Sequence, residues 1–195
     1  MSKHFFRFIF ISAFFFMQPE ALLAQSNFEV RKISFEGNKT LDKDFLLERM
    51  AMKEVSWLQK KITKKEPYLF HDELINLDLE RLKRIYQSEG FLEAEIKLQP
   101  IDINEKKKTV KLTIEVKEGA PVVVDSIDFE LIGEAKTIKM DSLTKKVLGE
   151  VKLRKSDRFR DEALLDDILI IENAFKNMGY AYASSTYDLN LRPEQ

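Results

Sequence analysis

One segment of the chain occurs twice. Two stretches align without a gap: residues 70–91 (FHDELINLDLERLKRIYQSEGF) and residues 159–180 (FRDEALLDDILIIENAFKNMGY). Asp72 matches Asp161 and Gly90 matches Gly179 at one constant offset, because 161 − 72 and 179 − 90 both equal 89. An internal repeat of this kind predicts two copies of one structural unit, each of which must bury the same apolar face. Duplicated units also favour a surface for partners over a single active site.

The repeated segment has the pattern of an amphipathic helix. In the first copy, Asp72 and Glu73 place negative charge at the start of the helix, and Gly90 ends it. The apolar positions between them recur at the spacing of one buried helix face. They are Ile75, Leu79, Leu82 and Tyr86 in the first copy and Leu164, Ile168, Ile171 and Phe175 in the second. The stripe is kept position by position, so both helices are predicted to pack against a core.

Segments in which apolar and polar residues alternate flank this helix in the first copy. Alternation with a period of two is typical of a strand with one buried face. The predicted elements are, in order, strand Val30–Phe35, helix Asp42–Met52, the repeated helix, strand Ala94–Leu98, a hairpin turn at Asn104–Lys108 and strand Val110–Val116. Between the two helices, residues 53–69 form a basic connector that is either a solvated loop or an amphipathic stretch.

The second copy follows the same order up to its last strand. Strand Val124–Phe129, helix Lys136–Leu148 and strand Ala183–Leu191 are predicted around the repeated helix, and no segment corresponds to Val110–Val116. The expected fold is α+β, with two β-α-α-β-β units at residues 25–120 and 121–195. Each unit is a small mixed sheet covered on one face by two helices, and the second unit lacks its last strand.

The N-terminus has the plan of a secretory signal. Lys3 and Arg7 precede the apolar run Phe8–Met17, and a cut is expected between Ala24 and Gln25. The apolar run is about half of the roughly 20 residues that a membrane-spanning helix needs. We therefore predict that residues 1–24 are a signal peptide and that the rest of the chain is exported. An uncleaved membrane anchor is the alternative.

Composition argues against several classes of site. The chain has no cysteine and only two histidines, and its net charge is −1. A thiolate nucleophile, a His-rich metal site and a global attraction to nucleic acid are therefore not expected. The acidic pairs Asp161-Glu162 and Asp166-Asp167 lie at a helix start or on a polar face, without a nucleophile and base beside them. Residues 53–71 contain no glycine, which argues against the GXXG loop of a KH-type RNA clamp.

Taken in order, these pieces resemble POTRA domains, the periplasmic modules of BamA/TamA-type outer-membrane protein assembly factors. The matching pieces are ISFEGNKTL at 33–41, DLERLKRIYQSEGFLEAEI at 78–96 and VKEGAPVVVDSIDFE at 116–130. The second copy departs from the pattern at residues 131–134, where LIGE replaces the Gly-Asn turn. Such a factor continues into a membrane β-barrel. The chain is therefore expected to be only the N-terminal periplasmic part, as a fragment or a truncated product.

The resemblance implies a polypeptide-binding scaffold, not an enzyme, without cofactors. It would lie in the periplasm, associated with the outer membrane. Its implied partners are unfolded or nascent outer-membrane proteins, accessory assembly proteins and, for a fragment, a membrane β-barrel, but no nucleic acid. The alternatives are a POTRA-containing cell-division or two-partner secretion protein and, from another class, a small exported enzyme.

The family fold also suggests where binding occurs. It places the last strand of each unit in the middle of the sheet and the strand after the Gly-aromatic pair at an edge. An edge strand accepts an added strand by β-augmentation. The candidate binding residues are therefore Ala94, Glu95, Ile96, Lys97 and Leu98. The competing interpretation is that charged residues merely protect this edge. The second unit, without its central strand, is expected to be marginally folded or to recruit a strand from elsewhere.

Overall fold

The computed structural model describes residues 27–54, 66–132, 146, 147 and 149–192. Its strands are β1 (Glu29–Glu36), β2 (Glu95–Leu98), β3 (Asp102–Asn104) and β4 (Thr109–Lys117), and its helices are α1 (Lys43–Arg49), α2 (Asp72–Ser88) and α3 (Asp161–Asn177). The architecture is α+β, as predicted. The predicted signal peptide, residues 55–65 of the connector and residues 136–145 and 148 of the predicted helix 136–148 lie outside the described residues. Residues 146, 147, 149 and 150 are helical.

One mixed sheet is built around β4. It pairs in parallel with β1 on one side and antiparallel with β2 and β3 on the other. β2 and β3 both run along that second side, separated by a short break around Pro100. Proline interrupts the strand there because it has no N–H for the ladder. The central position of β4 and the edge position of β2 agree with the expectation from the resemblance.

The core lies between this sheet and the helices. Alternate residues of β4 are buried, which confirms the predicted wet and dry faces. On α2 the predicted stripe is also confirmed, since three of its members are buried and Leu79 packs against them half-buried. Burial of each such side chain stabilises the fold by about 1.5–3 kcal/mol. The central members of this core are Ile33, Ile75, Leu82, Tyr86, Leu112 and Ile114.

Helix α1 is shorter than the sequence predicted, ending at Arg49 instead of Met52. The backbone N–H groups of Ala51 and Met52 donate to the carboxylate of Asp78 at 2.8 and 2.7 Å. An amide that serves this carboxylate cannot also continue the i→i−4 ladder of a helix. The chain therefore turns away from the helix axis after Arg49, and helix α2 supplies the group that satisfies the turn.

The strands predicted for the second copy are absent from its described residues, so that prediction is wrong. Residues 124–129 and 183–191 are not strands, and Ile127 and Phe129 are 40% and 44% exposed. A strand is stabilised by hydrogen bonds to a neighbour. Among the residues described beyond position 120, nothing takes the central place that β4 has in the first unit. Alternating sequence alone therefore did not produce a ladder.

Candidate binding edge

β2 is the outermost strand of the sheet on its side. Its register places Ile96 opposite Val116 and Leu98 opposite Ile114, antiparallel to β4. The side chains of Ile96 and Leu98 are half-buried against the core, whereas Glu95 and Lys97 are exposed. The predicted alternation along this strand is therefore confirmed, and the strand is fixed on one side by the sheet and on one face by the core.

The outer side of β2 presents free backbone groups. The N–H of Gln99 donates to the carbonyl of Thr113 at 2.9 Å. This bond determines which residues of β2 point their backbone groups toward β4. In an antiparallel pair, alternate residues point their backbone groups toward the partner strand. The N–H and C=O groups of Ile96 and Leu98 therefore point away from β4. Within the described ranges no hydrogen bond uses them.

The opposite edge of the sheet, formed by β1, is occupied along its first half. The N–H of Val30 donates to the carbonyl of Tyr68, and the N–H of Phe70 donates to the carbonyl of Phe28, both at 2.8 Å. Further along, the N–H of Ile33 donates to the Glu54 carboxylate at 2.5 Å. The connector after α1 and the segment before α2 thus cover the first half of this edge. The sheet offers its free groups on the β2 side.

The charges on β2 neutralise one another. Nζ of Lys97 lies 2.7 Å from the Glu95 carboxylate, and both side chains are exposed. Through this hydrogen bond, Lys97 lowers the pKa of the Glu95 carboxyl and Glu95 raises the pKa of Lys97. Lone lysines and inward-pointing charges protect an edge because an incoming strand would have to desolvate them. A closed ion pair on the face of the sheet is a weaker obstacle to such a strand.

Ala94 differs from the other four candidate residues. It is 1% exposed, lies just before β2, and its N–H donates to the carbonyl of Phe91 at 3.2 Å. It belongs to the core and to the turn that follows α2. The strand that presents an edge is therefore Glu95–Leu98.

The predicted copy of this edge in the second unit has no strand. The N–H of Ser185, which is the repeat counterpart of Ile96, donates to the Glu172 carboxylate at 2.9 Å. That hydrogen bond is the main cause that lowers the pKa of the Glu172 carboxyl. The second cause is the hydrogen bond from the Lys176 side chain. The counterpart of Glu172 in the first unit is Lys83, which has no acceptor oxygen in its side chain. The same backbone position is thus capped in the second unit and open in the first.

A groove of about 950 Å³ lies on the outer face of α2. Arg81 and Arg84 line this groove together with apolar side chains from both units. Leu77 and Ile85 come from α2, and Leu92 comes from the turn before β2, with Phe159, Leu189 and Leu191 opposite. It is separate from the backbone groups of Ile96 and Leu98.

Two aspartates are buried, although the sequence pattern did not predict their burial. Asp78 is fully buried and Asp167 is 5% exposed. Asp167 accepts the N–H groups of Lys152 and Leu153, as Asp78 accepts those of Ala51 and Met52. The sequence pattern predicted that Asp167 lies with Asp166 on a polar face of the helix. That prediction is wrong, because Asp167 is buried. The available signal was the repeat itself, because Asp78 and Asp167 are equivalent positions.

Neither acidic residue forms a metal centre. Across the described ranges, no group of three or more histidine, aspartate or glutamate side chains is arranged to hold a metal ion. The carboxylates of Asp78 and Asp167 are engaged with backbone amides. No helix in those same ranges has the length and apolar character needed to cross a membrane.

Comparison with known families identifies the first unit. Residues 28–119 match the family model for POTRA, described as "Surface antigen variable number repeat". This match spans β1 to β4 and ends at Gly119. The first unit is therefore a POTRA domain. The predicted resemblance to a POTRA domain is confirmed over these residues. No curated protein matches the chain.

Two solved structures are similar to the chain. One contains POTRA domains 3–5 of Haemophilus influenzae BamA, with 23% identity and a TM-score of 0.42, and the match covers 77% of this chain and 54% of that one. The other is Haemophilus ducreyi BamA lacking POTRA domains 1–3, with 18% identity and a TM-score of 0.36, covering 75% of this chain and 24% of that one. The chain thus spans about half of the first structure and a quarter of the second.

Proposed function

We propose that this chain is a periplasmic scaffold module of an outer-membrane protein assembly factor and that it binds extended polypeptides along β2. The observation that carries the proposal is the asymmetry of the sheet. The first half of the β1 edge is covered by the chain's own segments, whereas the backbone groups of Ile96 and Leu98 are free on the β2 side. A strand added there would pair with these groups by β-augmentation.

Backbone pairing suits partners of varied sequence. The N–H and C=O groups are the same in every strand, so affinity comes from the main chain and only modest preference comes from side chains. Glu95 and Lys97 lie on the exposed face and are paired with each other, so they add little net charge to the site. The partners proposed are unfolded or nascent outer-membrane proteins and accessory assembly proteins. Export by the signal at residues 1–24 and periplasmic localisation belong to the same proposal.

A proline substitution tests the role of the backbone. In Ile96→Pro, the residue loses the outward N–H but breaks no bond to β4, because Ile96 does not donate to that strand. The matched control is Ile96→Ala, which removes the side chain equally and keeps the N–H. The probe is a fluorescently labelled, urea-unfolded outer-membrane β-barrel protein diluted into buffer with the full chain.

We expect Ile96→Pro to weaken binding of the probe at least tenfold relative to Ile96→Ala. Hydrogen exchange of the amides in α2 and β4 verifies that both variants keep the fold. Equal affinity of the two variants, both folded, would show that the free backbone groups of β2 are not the binding site.

A further inference from the structure

The sheet edge that contains β2 is interrupted by a β-bulge. Leu98 lies opposite Ile114, and Asp102 lies opposite Lys111. Three residues separate Leu98 from Asp102, whereas two residues separate their partners on β4. One residue on the edge side is therefore extra, which is the definition of a bulge.

Pro100 is the extra residue. The N–H of Gln99 donates to the carbonyl of Thr113 at 2.9 Å, so Gln99 still follows the register of β2. When the register of β3 is extended back by one residue, Ile101 falls opposite Leu112. In these two registers no β4 residue lies opposite Pro100, which is exposed. Proline suits such a position because it has no N–H that would be left unpaired.

Beyond the bulge, β3 also has backbone groups that point outward. Thr113 directs its groups toward β2. Because the direction alternates along a strand, Lys111 directs its groups toward β3. Lys111 lies opposite Asp102, which therefore faces β4, and the next residue, Ile103, faces outward.

The bulge puts the outward groups of β2 and β3 out of step. Along β2 these groups recur at every second residue, at Ile96 and Leu98. The next position in that register is Pro100, which offers no N–H. The outward groups at Ile101 and Ile103 come one residue later than a regular ladder requires, and a bulge also bends the strand and increases its twist. A strand that pairs regularly with β2 therefore loses its partner groups at Pro100.

The other end of β2 is closed by the turn after α2. Ala94 is the second residue before Ile96, so it is the next position that a longer ladder would reach. Its N–H already donates to the carbonyl of Phe91 at 3.2 Å, and the residue is 1% exposed. The open part of the edge therefore consists of the N–H and C=O groups of Ile96 and Leu98.

We infer that the bulge at Pro100 limits the length of the polypeptide segment that β2 binds. The bound segment pairs with Ile96 and Leu98, lies beside residues 95–99, and does not continue along β3. This inference rests on the proposed function, because it assumes that partners bind along β2. Pro100 is thus a residue that determines specificity by length, without any contact that selects a sequence.

The short ladder also defines the kind of segment that fits. The side chains of Ile96 and Leu98 are half-buried on the core side of β2, whereas Glu95 and Lys97 are exposed on the other side. Neighbouring strands place their side chains on matching faces. The best segment is therefore extended and short, with two apolar residues separated by one polar residue. Such segments occur many times in one unfolded β-barrel protein, so several of them can exchange at the site.

The first measurement uses the unmodified full chain. The probe is the urea-unfolded outer-membrane β-barrel protein of the proline test, added in excess. Hydrogen exchange is followed at the amides of Ile96, Leu98, Ile101 and Ile103. We expect the probe to slow exchange at Ile96 and Leu98 at least tenfold and to change exchange at Ile101 and Ile103 less than twofold.

Deletion of Pro100 removes the limit without changing which residues face the core. Ile101 then follows Gln99 directly and keeps its place opposite Leu112, so β2 and β3 become one continuous ladder. In this variant the probe should slow exchange at Ile101 and Ile103 at least tenfold as well. The matched control is Pro100→Ala, which restores an N–H but keeps the extra residue, so protection should still end at Leu98. Unchanged exchange of the β4 amides in the free variants verifies the fold.

Several results would overturn the inference. Protection of Ile101 and Ile103 by the probe in the unmodified chain would do so and would leave the proposed function standing, and this result needs no variant that folds. Protection still confined to Ile96 and Leu98 after deletion of Pro100, in a folded chain, would also do so, as would extended protection in Pro100→Ala. Absence of protection at Ile96 and Leu98 would contradict the proposed function together with the inference.

Discussion

The two units of this chain have closely related helices and very different sheets. Helices α2 and α3 are both 17 residues long, begin at equivalent aspartates and are followed two residues after their ends by equivalent glycines. Yet Tyr86 is fully buried and its counterpart Phe175 is only partly so. The difference is β4, which covers the first stripe and has no counterpart among the described residues of the second unit. Helix formation and local capping are thus preserved without the sheet, whereas burial is not.

The largest expected difference between the units concerns the apolar stripe. Leu82→Ala leaves a cavity in a closed core and should lower the free energy of opening of α2 by about 3 kcal/mol. Ile171→Ala, at the equivalent position of α3, should lower that of α3 by about 1 kcal/mol, because water already reaches this side chain. Hydrogen exchange of the helix amides measures both values. Equal losses would mean that the second core is closed in solution.

The next effect, on the backbone amides, should be similar in both units, although Asp78 also pairs with Arg81, whose counterpart is Ile170. Asp78→Ala and Asp167→Ala each leave two backbone amides without their acceptor, at a cost of about 2 kcal/mol. The protection of Met52 and of Leu153 should therefore each fall by roughly 30-fold. Asp166→Ala removes a neighbouring carboxylate that only pairs with exposed Lys152 and serves as the control. A loss at Met52 without one at Leu153 would show that the equivalence of the two aspartates does not hold in solution.

A smaller difference than that of the stripe is expected at the glycines that follow the two helices. Gly90 and Gly179 both have positive φ, 89° and 100°, so alanine costs about 1 kcal/mol at either position. At Gly90 the added Cβ would also lie 2.3 Å from the carbonyl oxygen of Phe159, whereas nothing lies within 4 Å at Gly179. Gly90→Ala should therefore cost about 1 kcal/mol more, in line with the usual penalty for overpacking. Urea denaturation of the two variants compares them, and equal midpoints would argue against this contact.

The junction explains why Gly90 is more constrained than its counterpart. Its carbonyl accepts the N–H of Val122 at 2.8 Å, and Arg158 pairs with Glu89 at 3.1 Å. The guanidinium of Arg158 also lies over the ring of Phe91, 5.2 Å from its centroid. The start of the second unit is therefore bound to the end of α2. A short link between the units is visible in the sequence, but these contacts are not.

The sequence predicted the features that depend on one segment alone. It did not predict those that depend on contact between segments. The stripe on α2 and the alternation in β4 were predicted because each periodicity follows from the geometry of one element. The prediction of strands at 124–129 and 183–191 was wrong, because alternation indicates which residues share a face and not whether a neighbouring strand exists. The prediction for Asp167 was wrong because an aspartate in a helix is usually solvated, and only the amides of Lys152 and Leu153 make its burial favourable.

The sequence by itself determined the duplication, the amphipathic helices, the strands of the first unit and the resemblance to POTRA domains. These features depend on residue order within short segments, where helix and strand periods are fixed by backbone geometry. The tertiary structure alone decided that the first half of the β1 edge is covered and the β2 edge is free, that Asp78 and Asp167 are buried, and that the described residues of the second unit form no sheet. Those outcomes depend on hydrogen bonds between segments far apart in the chain, which no local pattern encodes.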